Sequence, residues 1–426
     1  MMNGPTIRTH TCPIERIGSG EKHHFFGYYN KSVWDKTNRY ILTNRVDMMT
    51  ADIALTDTAE IGYYDSFDDK KEFHLLATTT TWNWQMGCQS QWLDGLAGRQ
   101  AIYNVRANNP AHPYPEFASE IANVDTGEKR QLPLPVYITA PNSKYALCID
   151  YKRLFVTHET IGYQAAEQYR NMDLAPSDDG IYYLDITSGD YKMLVSYQQL
   201  TQFHHVDSMD KAAHWVSHIE IAPDANRILF LHRWSERVED ETCFLHRLIT
   251  MNPDGSDMHL LECSDHPIPQ LQEDFDANAV GTFDYEKSEY QISHPTWQDK
   301  EHIMVWGPHN GRIHYHLYRD QTEHVEVVGE KYLNENGHMT YSNDGQWMLS
   351  DTYPNDQTHE RILFLYHQDT DARIDVGSFY ADPNLGKINR CDLHPRWNHD
   401  GTKACIDSVH ENERQMYIID VSELTK

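Results

Sequence analysis

One pattern, a short strand, a turn and a second strand, recurs about seven times along the 426-residue chain. Each copy alternates apolar and polar residues, breaks at a turn pair such as Asp-Gly or Asn-Ser, and then becomes apolar again, as β-hairpins do. The copies begin at Asn30, Cys88, Pro135, Ser217, Ser293, Gly337 and Leu393. A chain with this repeat is expected to fold into a series of similar β-units.

A second hairpin follows the first in several copies, at residues 121–132, 181–194, 248–261 and 363–376. Two hairpins per unit give a four-stranded antiparallel blade, and radial repetition buries many short strands without a partner domain. We therefore predict an all-β, seven-bladed β-propeller that spans residues 1–426 as a single domain. The last copy lacks a fourth strand, so we expect the N-terminal segment 9–18 to supply it and close the ring. A β-sandwich with irregular strands is the alternative.

The net charge of −28 makes duplex nucleic acid and anionic membranes poor partners for the surface as a whole. No stretch approaches the roughly 20 apolar residues of a membrane span, and the N-terminus lacks the apolar core of a signal peptide. We expect a cytoplasmic protein with reduced thiols, or a periplasmic or secreted one if a leader had been removed. The sequence indicates no protein partner. An anionic small substrate would require a local basic site.

In a propeller blade, the start of the innermost strand and the end of the next strand lie on the same face. One aligned position at the start of the inner strand holds His218, His294, His338 and His394, and blade 2 places Gln89 there. Histidines that recur in register point towards a shared axis, where neighbouring blades bring imidazoles within coordination distance of a divalent metal. The alternative is that each histidine only ties its blade to a neighbour by hydrogen bonding.

For the metal site we predict His294, His338 and His394 as ligands, with Cys391 or Asp392 completing the set. Nitrogen and oxygen ligands permit Mn²⁺ or Ca²⁺, whereas Cys391 as a ligand favours Zn²⁺.

Arginines recur at the end of the second strand, on the same face, among them Arg106, Arg153 and Arg233. The planar guanidinium suits bidentate binding of carboxylate, sulfate or phosphate. We expect Arg153 and Arg233, with Asn104 and Gln89, to bind an anionic substrate. The alternative is that these arginines neutralise the aspartates of the rim.

A family resemblance rests mainly on the last two blades, at residues 337–354 and 392–422, and on residues 23–35 and 82–92 in the first blades. These segments resemble the oligogalacturonate lyase and ulvan lyase type of seven-bladed propeller. The resemblance implies a divalent metal held by histidines and a glutamine, and His338 and His394 match two of those positions. Asn389 and Asp392 fall where that family has glutamine and histidine.

Ulvan lyases pair a tyrosine with a histidine for catalysis, and Tyr151 matches the tyrosine. The region where their histidine is sought holds Asn83, Gln85 and Asn104 instead.

The function that the resemblance implies is β-elimination at a uronate in an anionic oligosaccharide. A cation neutralises the C6 carboxylate and acidifies the C5 proton, a base removes that proton, and an acid protonates the leaving oxygen. We expect Arg106 to bind the carboxylate, and Tyr151 and His218 to transfer protons. Two alternatives remain: a glycosidase that uses His23 or His24, and a glycan-binding propeller without catalysis.

Overall fold

The computed structural model describes residues 7–18, 20–167, 169, 171–236, 238, 244–264 and 291–426. Within these ranges the strands form seven sheets around a central channel, and the predicted seven-bladed propeller is confirmed. Six sheets have four strands and one has five. None of the helices in the described ranges has the length and apolarity needed to cross a membrane.

The strands follow the chain from one blade to the next, and two of them precede blade 1. These are β1 (Arg8–Thr9) and β2 (Ile14–Arg16). Blade 1 holds β3 (His23–Phe25), β4 (Tyr40–Val46), β5 (Ala59–Asp65) and β6 (Phe73–Thr79). Blade 2 holds β7 (Gln91–Trp92), β8 (Gln100–Arg106), β9 (Phe117–Asn123) and β10 (Lys129–Leu132). Blade 3 holds β11 (Val136–Thr139), β12 (Tyr145–Cys148), β13 (Gly180–Asp185) and β14 (Tyr191–Ser196).

The remaining blades repeat the same order. Blade 4 holds β15 (Ala213–Ile221), β16 (Ile228–Ser235), β17 (Leu245–Met251) and β18 (His259–Ser264). Blade 5 holds β19 (Ser293–Trp297), β20 (His302–His309), β21 (Arg312–Arg319) and β22 (Val325–Val327). Blade 6 holds β23 (Met339–Tyr341), β24 (Trp347–Asp351), β25 (Glu360–His367) and β26 (Ala372–Tyr380). Blade 7 holds β27 (Arg396–Trp397), β28 (Lys403–Ser408) and β29 (Gln415–Asp420).

Short helices lie between the strands: α1 (Tyr151–Thr157), α2 (Tyr197–Gln202) and α3 (Ser422–Thr425). Short 3₁₀ turns occur at Glu159–Ile161, Asp207–Met209 and Gln368–Thr370. Asp150 caps α1 by accepting a hydrogen bond from the backbone N–H of Lys152.

The ring closes as the sequence predicted, because β2 supplies the fourth strand of blade 7. It pairs antiparallel with β29, with Ile14 opposite Ile419. Strand β1, which the sequence did not predict, adds a parallel fifth strand to blade 6, with Arg8 opposite Ile374. The N-terminal segment therefore ties together blades 6 and 7, which carry two of the aligned histidines.

The apolar core lies between neighbouring blades. Leu231 of blade 4 packs in one buried cluster with Ile303 of blade 5, and Leu365 of blade 6 shares another with Ile406 of blade 7. Each fully buried side chain of this type contributes roughly 1.5–3 kcal/mol. The stacking of blades fixes the positions of the inner strands, and with them the side chains that reach the channel.

Blades 2, 4, 5 and 7 share a backbone conformation at the aligned position. Gln89, His218, His294 and His394 all adopt left-handed backbone angles there, with φ of 57°, 51°, 50° and 42°. The strand register shifts at the same point in blades 4 and 5. A non-glycine residue in this conformation costs about 1–3 kcal/mol, and such strain concentrates at functional sites. A bulge also re-aims its side chain.

Blade 1 departs from the predicted pattern. Its inner strand is not one run that begins at Asn30: β3 starts at His23, and pairing resumes only at an isolated bridge between Trp34 and Ile41. The residues between leave the strand and enter the channel. Gly27 begins this excursion with φ of 121°, and a Cβ there would lie 2.5 Å from the backbone of Met86, so glycine is required.

Candidate metal centre and active site

The four aligned histidines form a continuous arc across blades 4 to 7. Neighbouring ring centroids are 5.8 Å apart for His218 and His294, 4.2 Å for His294 and His338, and 4.4 Å for His338 and His394. All four side chains are buried. We call this end of the channel the histidine end.

Three residues of this arc and its flank are arranged as metal ligands. One ligand atom each from His338, Asp392 and His394 lies within 4.8 Å of the other two. Nδ1 of His338 is 3.1 Å from both carboxylate oxygens of Asp351, which leaves its Nε2 to bind a metal. Nε2 of His394 is buried and has no hydrogen-bond partner in the part of the chain that the structure describes. An imidazole oriented by a carboxylate is the usual outer shell of a metal-binding histidine, so these residues fit a divalent cation.

Asp392 is held as an anion. Burial alone would raise its pKa, but the charges of Arg390 and Arg361, followed by those of the two histidines, hold the pKa well below its usual range. Arg361 Nη2 lies 2.7 Å from Oδ1, and Arg390 Nε lies 2.8 Å from Oδ2. An ionised carboxylate beside two imidazole nitrogens is a hard oxygen ligand.

The other two predicted ligands lie beside this group. Nδ1 of His294 is 3.0 Å from Oγ of Ser293 and 3.3 Å from Oδ1 of Asn336. Cys391 is buried, and burial raises the pKa of its thiol to about 11. Cys391 is outside the three-residue group, and its role as a ligand stays a prediction.

Two tyrosines of blade 1 fill the channel among the histidines. The Tyr28 ring lies 5.3 Å from that of His218 and 5.0 Å from that of His394. The Tyr29 ring lies 5.6 Å from both His294 and His338. We call this pair the tyrosine plug; it is 6% and 1% exposed.

A buried ion pair in blade 7, Arg396 with Asp407, forms hydrogen bonds with the backbone of the tyrosine plug. Asp407 Oδ2 is 3.1 Å from Arg396 Nη2 and accepts a hydrogen bond of 3.2 Å from the Gly27 N–H. Arg396 donates to the carbonyl oxygens of Gly27 and Tyr28. The first and last blades together therefore aim the tyrosine rings at the histidines.

Tyr28 is hydrogen-bonded to His218, Oη to Nε2. The other ring nitrogen of His218, Nδ1, is 3.0 Å from Oγ of Ser217. Burial, and then the charge of Arg233, lowers the pKa of His218 well below its usual value, while burial raises the pKa of Tyr28 well above its own. At neutral pH the imidazole is thus neutral, and we assign Tyr28 as the donor of the shared proton.

Arg233 is a buried cation for which the described residues supply few hydrogen bonds. It is 3% exposed, and its Nε and Nη1 have no hydrogen-bond partner among the described residues. Its guanidinium lies over the Phe244 ring, 4.7 Å from the centroid. Its charge acts on both Tyr28 and His218. A desolvated, unpaired guanidinium is well suited to bind a carboxylate.

Two predicted substrate-binding residues, whose role stays a prediction, form hydrogen bonds within the protein. Arg153 forms an ion pair of 2.9 Å with Asp179 and donates to the carbonyl of His214 at 2.9 Å. The Asn104 amide joins blades 2 and 3 through both the N–H and the carbonyl of Val136, at 2.8 and 2.9 Å.

The remaining predicted residues lie in blades 2 and 3. Tyr151 is buried, donates its hydroxyl to the Val136 carbonyl at 3.0 Å, and stacks on Tyr163 at 4.2 Å. Arg106 donates to Thr80 Oγ1 at 3.2 Å. Gln89 donates to the Met86 sulfur at 3.2 Å. The roles proposed for these residues stay predictions.

His24, a candidate in the glycosidase alternative, uses both ring nitrogens internally. Nδ1 is 3.0 Å from Gln415 Oε1, and Nε2 is 2.8 Å from the Tyr64 hydroxyl. Burial lowers the pKa of His24 to about 4.

Comparison with known proteins finds the same fold in solved structures. No family model and no curated protein sequence matches the chain. An oligogalacturonate lyase in complex with manganese superposes with a TM-score of 0.63 at 12% identity, over 98% of this chain and 96% of that one. The oligogalacturonate lyase of Vibrio parahaemolyticus gives 0.60 at 12% identity, over 99% and 97%.

A puromycin-hydrolyzing peptidase of Mycobacterium tuberculosis gives a TM-score of 0.54 at 10% identity, over 98% of this chain but 55% of the peptidase. The resemblance to the oligogalacturonate lyase propeller is thus confirmed as a likeness of fold. At these identities the chemistry has to be argued from the site itself.

Proposed function

We propose that the protein is a divalent-metal-dependent lyase that cleaves a uronate-containing oligosaccharide by β-elimination. One observation carries the proposal: three elements of this chemistry meet at the histidine end of one channel. The first is the metal-ligand group of His338, Asp392 and His394. The second is the hydrogen-bonded pair Tyr28–His218. The third is the guanidinium of Arg233, which has few hydrogen-bond partners among the described residues.

β-Elimination first requires that the uronate carboxylate be neutralised, because its negative charge opposes loss of the adjacent C5 proton. Arg233 supplies a desolvated guanidinium for the carboxylate. A divalent ion bound by His338, His394 and Asp392 would add Lewis-acid stabilisation of the same charge. Burial lowers the pKa values of His294 and His394 well below their usual range, so these two imidazoles are neutral and do not repel that ion.

The Tyr28–His218 pair supplies both proton transfers. Movement of the Tyr28 hydroxyl proton to Nε2 of His218 leaves a phenolate oxygen, which takes the C5 proton. The electrons of the C5–H bond form the C4–C5 double bond, the C4–O bond breaks, and His218 Nε2 returns its proton to the leaving oxygen. Burial raises the pKa of Tyr28 and lowers that of His218, so both groups rest in their neutral forms before the substrate binds.

The ligand set also indicates which metal ion the site prefers. Two imidazoles and one carboxylate favour Mn²⁺ over a thiolate-bound Zn²⁺, and a structure of similar fold is an oligogalacturonate lyase with manganese. We therefore propose Mn²⁺ as the first ion to test, followed by Ca²⁺ and Zn²⁺.

The test is turnover on a panel of oligogalacturonate, ulvan and related uronate oligosaccharides, with each metal supplied separately. The ultraviolet absorbance of the unsaturated uronate product should rise with metal and stop after chelation. No rise on any substrate with metal present would refute the proposal. Cleavage without the new double bond would favour a glycosidase, and binding without cleavage a glycan-binding propeller.

A further inference from the structure

A pocket lies at the end of the channel opposite the histidine end, where the inner strands finish. Its volume is about 220 Å³, and its lining includes Trp297 and Trp397, each three residues beyond an aligned histidine. Tyr29 also lines it, while the ring of this residue contacts His294 and His338 on its other side. The tyrosine plug thus separates this pocket from the histidine end.

Three residues that line the pocket carry buried polar atoms with no hydrogen-bond partner in the described protein. They are the Glu220 carboxylate oxygen Oε1, the Trp297 indole N–H and the Tyr341 hydroxyl. Leaving such an atom unpaired costs about 1–3 kcal/mol, so folded proteins contain few of them. Together they offer one acceptor, one donor and one group that serves as either.

The pocket also holds a buried acid and a buried amine. Glu220 is 6% exposed and Lys31 is 7% exposed. Lys31 Nζ donates to Asn30 Oδ1 at 2.9 Å and forms no ion pair with Glu220. Burial lowers the pKa of Lys31 to about 7 and raises that of Glu220 to about 8. Whether the pair is ionised or neutral, its net charge near neutral pH stays close to zero.

Charged ligands therefore gain little here, because near neutral pH Glu220 keeps its proton and Lys31 is only partly charged, so the pocket offers no full opposite charge. The nearby Arg396 does not change this balance, since Asp407 neutralises it. Hydroxyl groups, in contrast, both donate to a carboxyl oxygen and accept from an indole N–H or an amine. The volume is below the roughly 300–1,000 Å³ typical of pockets for drug-sized ligands, which limits the ligand to about one ring.

We propose that this pocket binds one neutral sugar ring, through Glu220, Lys31 and Trp297. Glu220 Oε1 accepts a hydrogen bond from one hydroxyl of the sugar. The indole N–H of Trp297 and the Nζ of Lys31 donate hydrogen bonds to other hydroxyls of the same ring. The surrounding indole rings cover the apolar face of the sugar. This site is separate from the one proposed for the uronate, and it faces the other side of the propeller.

The experiment is ligand-observed NMR of the full chain with glucose, galactose, xylose and rhamnose, beside galacturonate and galactosamine as charged analogues. At least one neutral sugar should bind more tightly than its charged analogue. Glu220→Gln, which keeps the shape and changes the carboxylate, and Trp297→Phe, which removes the N–H, should each weaken that binding at least tenfold.

Trp92→Phe is the matched control. Trp92 occupies the aligned position in blade 2, and its N–H already donates to the Val33 carbonyl at 2.9 Å. Sugar binding should be unchanged in this variant, and unchanged after metals are chelated, which separates this pocket from the histidine end. The proposal is overturned if no neutral sugar binds, if the charged analogues bind better, or if folded Glu220→Gln and Trp297→Phe proteins both keep full affinity.

Discussion

The Tyr28 hydroxyl is hydrogen-bonded to Nε2 of His218 in the centre of the propeller, although the two residues are 190 positions apart in the sequence. Blade 1 supplies the tyrosine, blade 4 supplies the histidine, and the Arg396–Asp407 pair of blade 7 holds the tyrosine backbone. The Tyr28–His218 pair lies beside the metal-ligand group, since the Tyr28 ring is 5.0 Å from that of His394.

One substitution at each of Tyr28 and Tyr151 shows which of the two tyrosines is catalytic. Tyr28→Phe removes the proton that His218 shares, so kcat should fall by roughly 10²–10⁴-fold with KM little changed. Tyr151→Phe removes a hydroxyl that donates to the Val136 carbonyl, so kcat should change little while stability falls by about 1 kcal/mol. Steady-state kinetics give kcat for both variants, and urea denaturation gives their stability. The reverse order of kcat losses would restore Tyr151 as the catalytic tyrosine.

Metal content should depend on the arc. His338→Ala and His394→Ala should each lower bound metal, measured by elemental analysis after dialysis against Mn²⁺, because each removes a nitrogen ligand. His316→Ala is the control: His316 is equally buried, but it lies outside the ligand group. Unchanged stoichiometry in both arc variants would rule out the shared site.

Asp351 should position a ligand without binding the metal itself. Asp351→Asn replaces the carboxylate that holds Nδ1 of His338, so Mn²⁺ affinity should fall by roughly 10–100-fold with the fold intact. Competition titration against a metal indicator gives the affinity, and circular dichroism checks folding. An Asp351→Asn protein that binds Mn²⁺ as tightly as the wild type would contradict this role.

Arg233 and Arg153 should respond in opposite ways to substitution by methionine. Arg233→Met removes an unpaired buried cation, so stability should change by no more than about 1 kcal/mol, while KM for an anionic substrate rises by roughly tenfold or more. Arg153→Met leaves Asp179 without its ion-pair partner, so it should destabilise the protein by about 3–5 kcal/mol. Denaturation curves give the change in stability of each variant, and steady-state kinetics give its KM. A large loss of stability in Arg233→Met would mean that its role is structural.

Glu220 should make stability pH-dependent. Burial raises its pKa from an ordinary 4.5 to about 8, so the folded protein keeps a proton that the unfolded chain has released. Its contribution is complete below about pH 4.5 and is lost as the pH rises to about 8. Lys31 acts in the opposite direction only above about pH 7, where the unfolded chain alone holds its proton.

Between about pH 5 and pH 7, the wild type should therefore lose about 2 kcal/mol of stability relative to Glu220→Gln. Urea denaturation of both proteins across this range gives the difference. Parallel profiles would show that Glu220 is ionised in the folded protein throughout.

The fold was predictable because the pairing within a blade is local. Each hairpin lies within one stretch of chain, so alternation and turn residues reveal it, as at residues 121–132 and 363–376. The histidine arc was predictable for a related reason. Equivalent positions in a repeat occupy equivalent positions around the axis, and this brought His294, His338 and His394 together.

The tyrosine plug was not predictable by the same reasoning, because it breaks the repeat. Residues 26–32 leave the inner strand of blade 1, and only Gly27 followed by two tyrosines hints at the excursion. The ion-pair partners of charged residues could not be predicted from the sequence either. Arg153 and Arg233 look alike in sequence, but one pairs with Asp179 across blade 3 and the other has no such partner among the described residues.

Mass spectrometry of the cleavage products, with Mn²⁺ supplied and a defined uronate oligosaccharide as substrate, tests the proposed reaction most directly. β-Elimination breaks the C4–O bond without consuming water, so the masses of the two fragments should add up to the mass of the intact substrate. Hydrolysis would make the sum heavier by one water molecule. Fragments with that extra water, or a substrate that stays intact with metal present, would contradict the account.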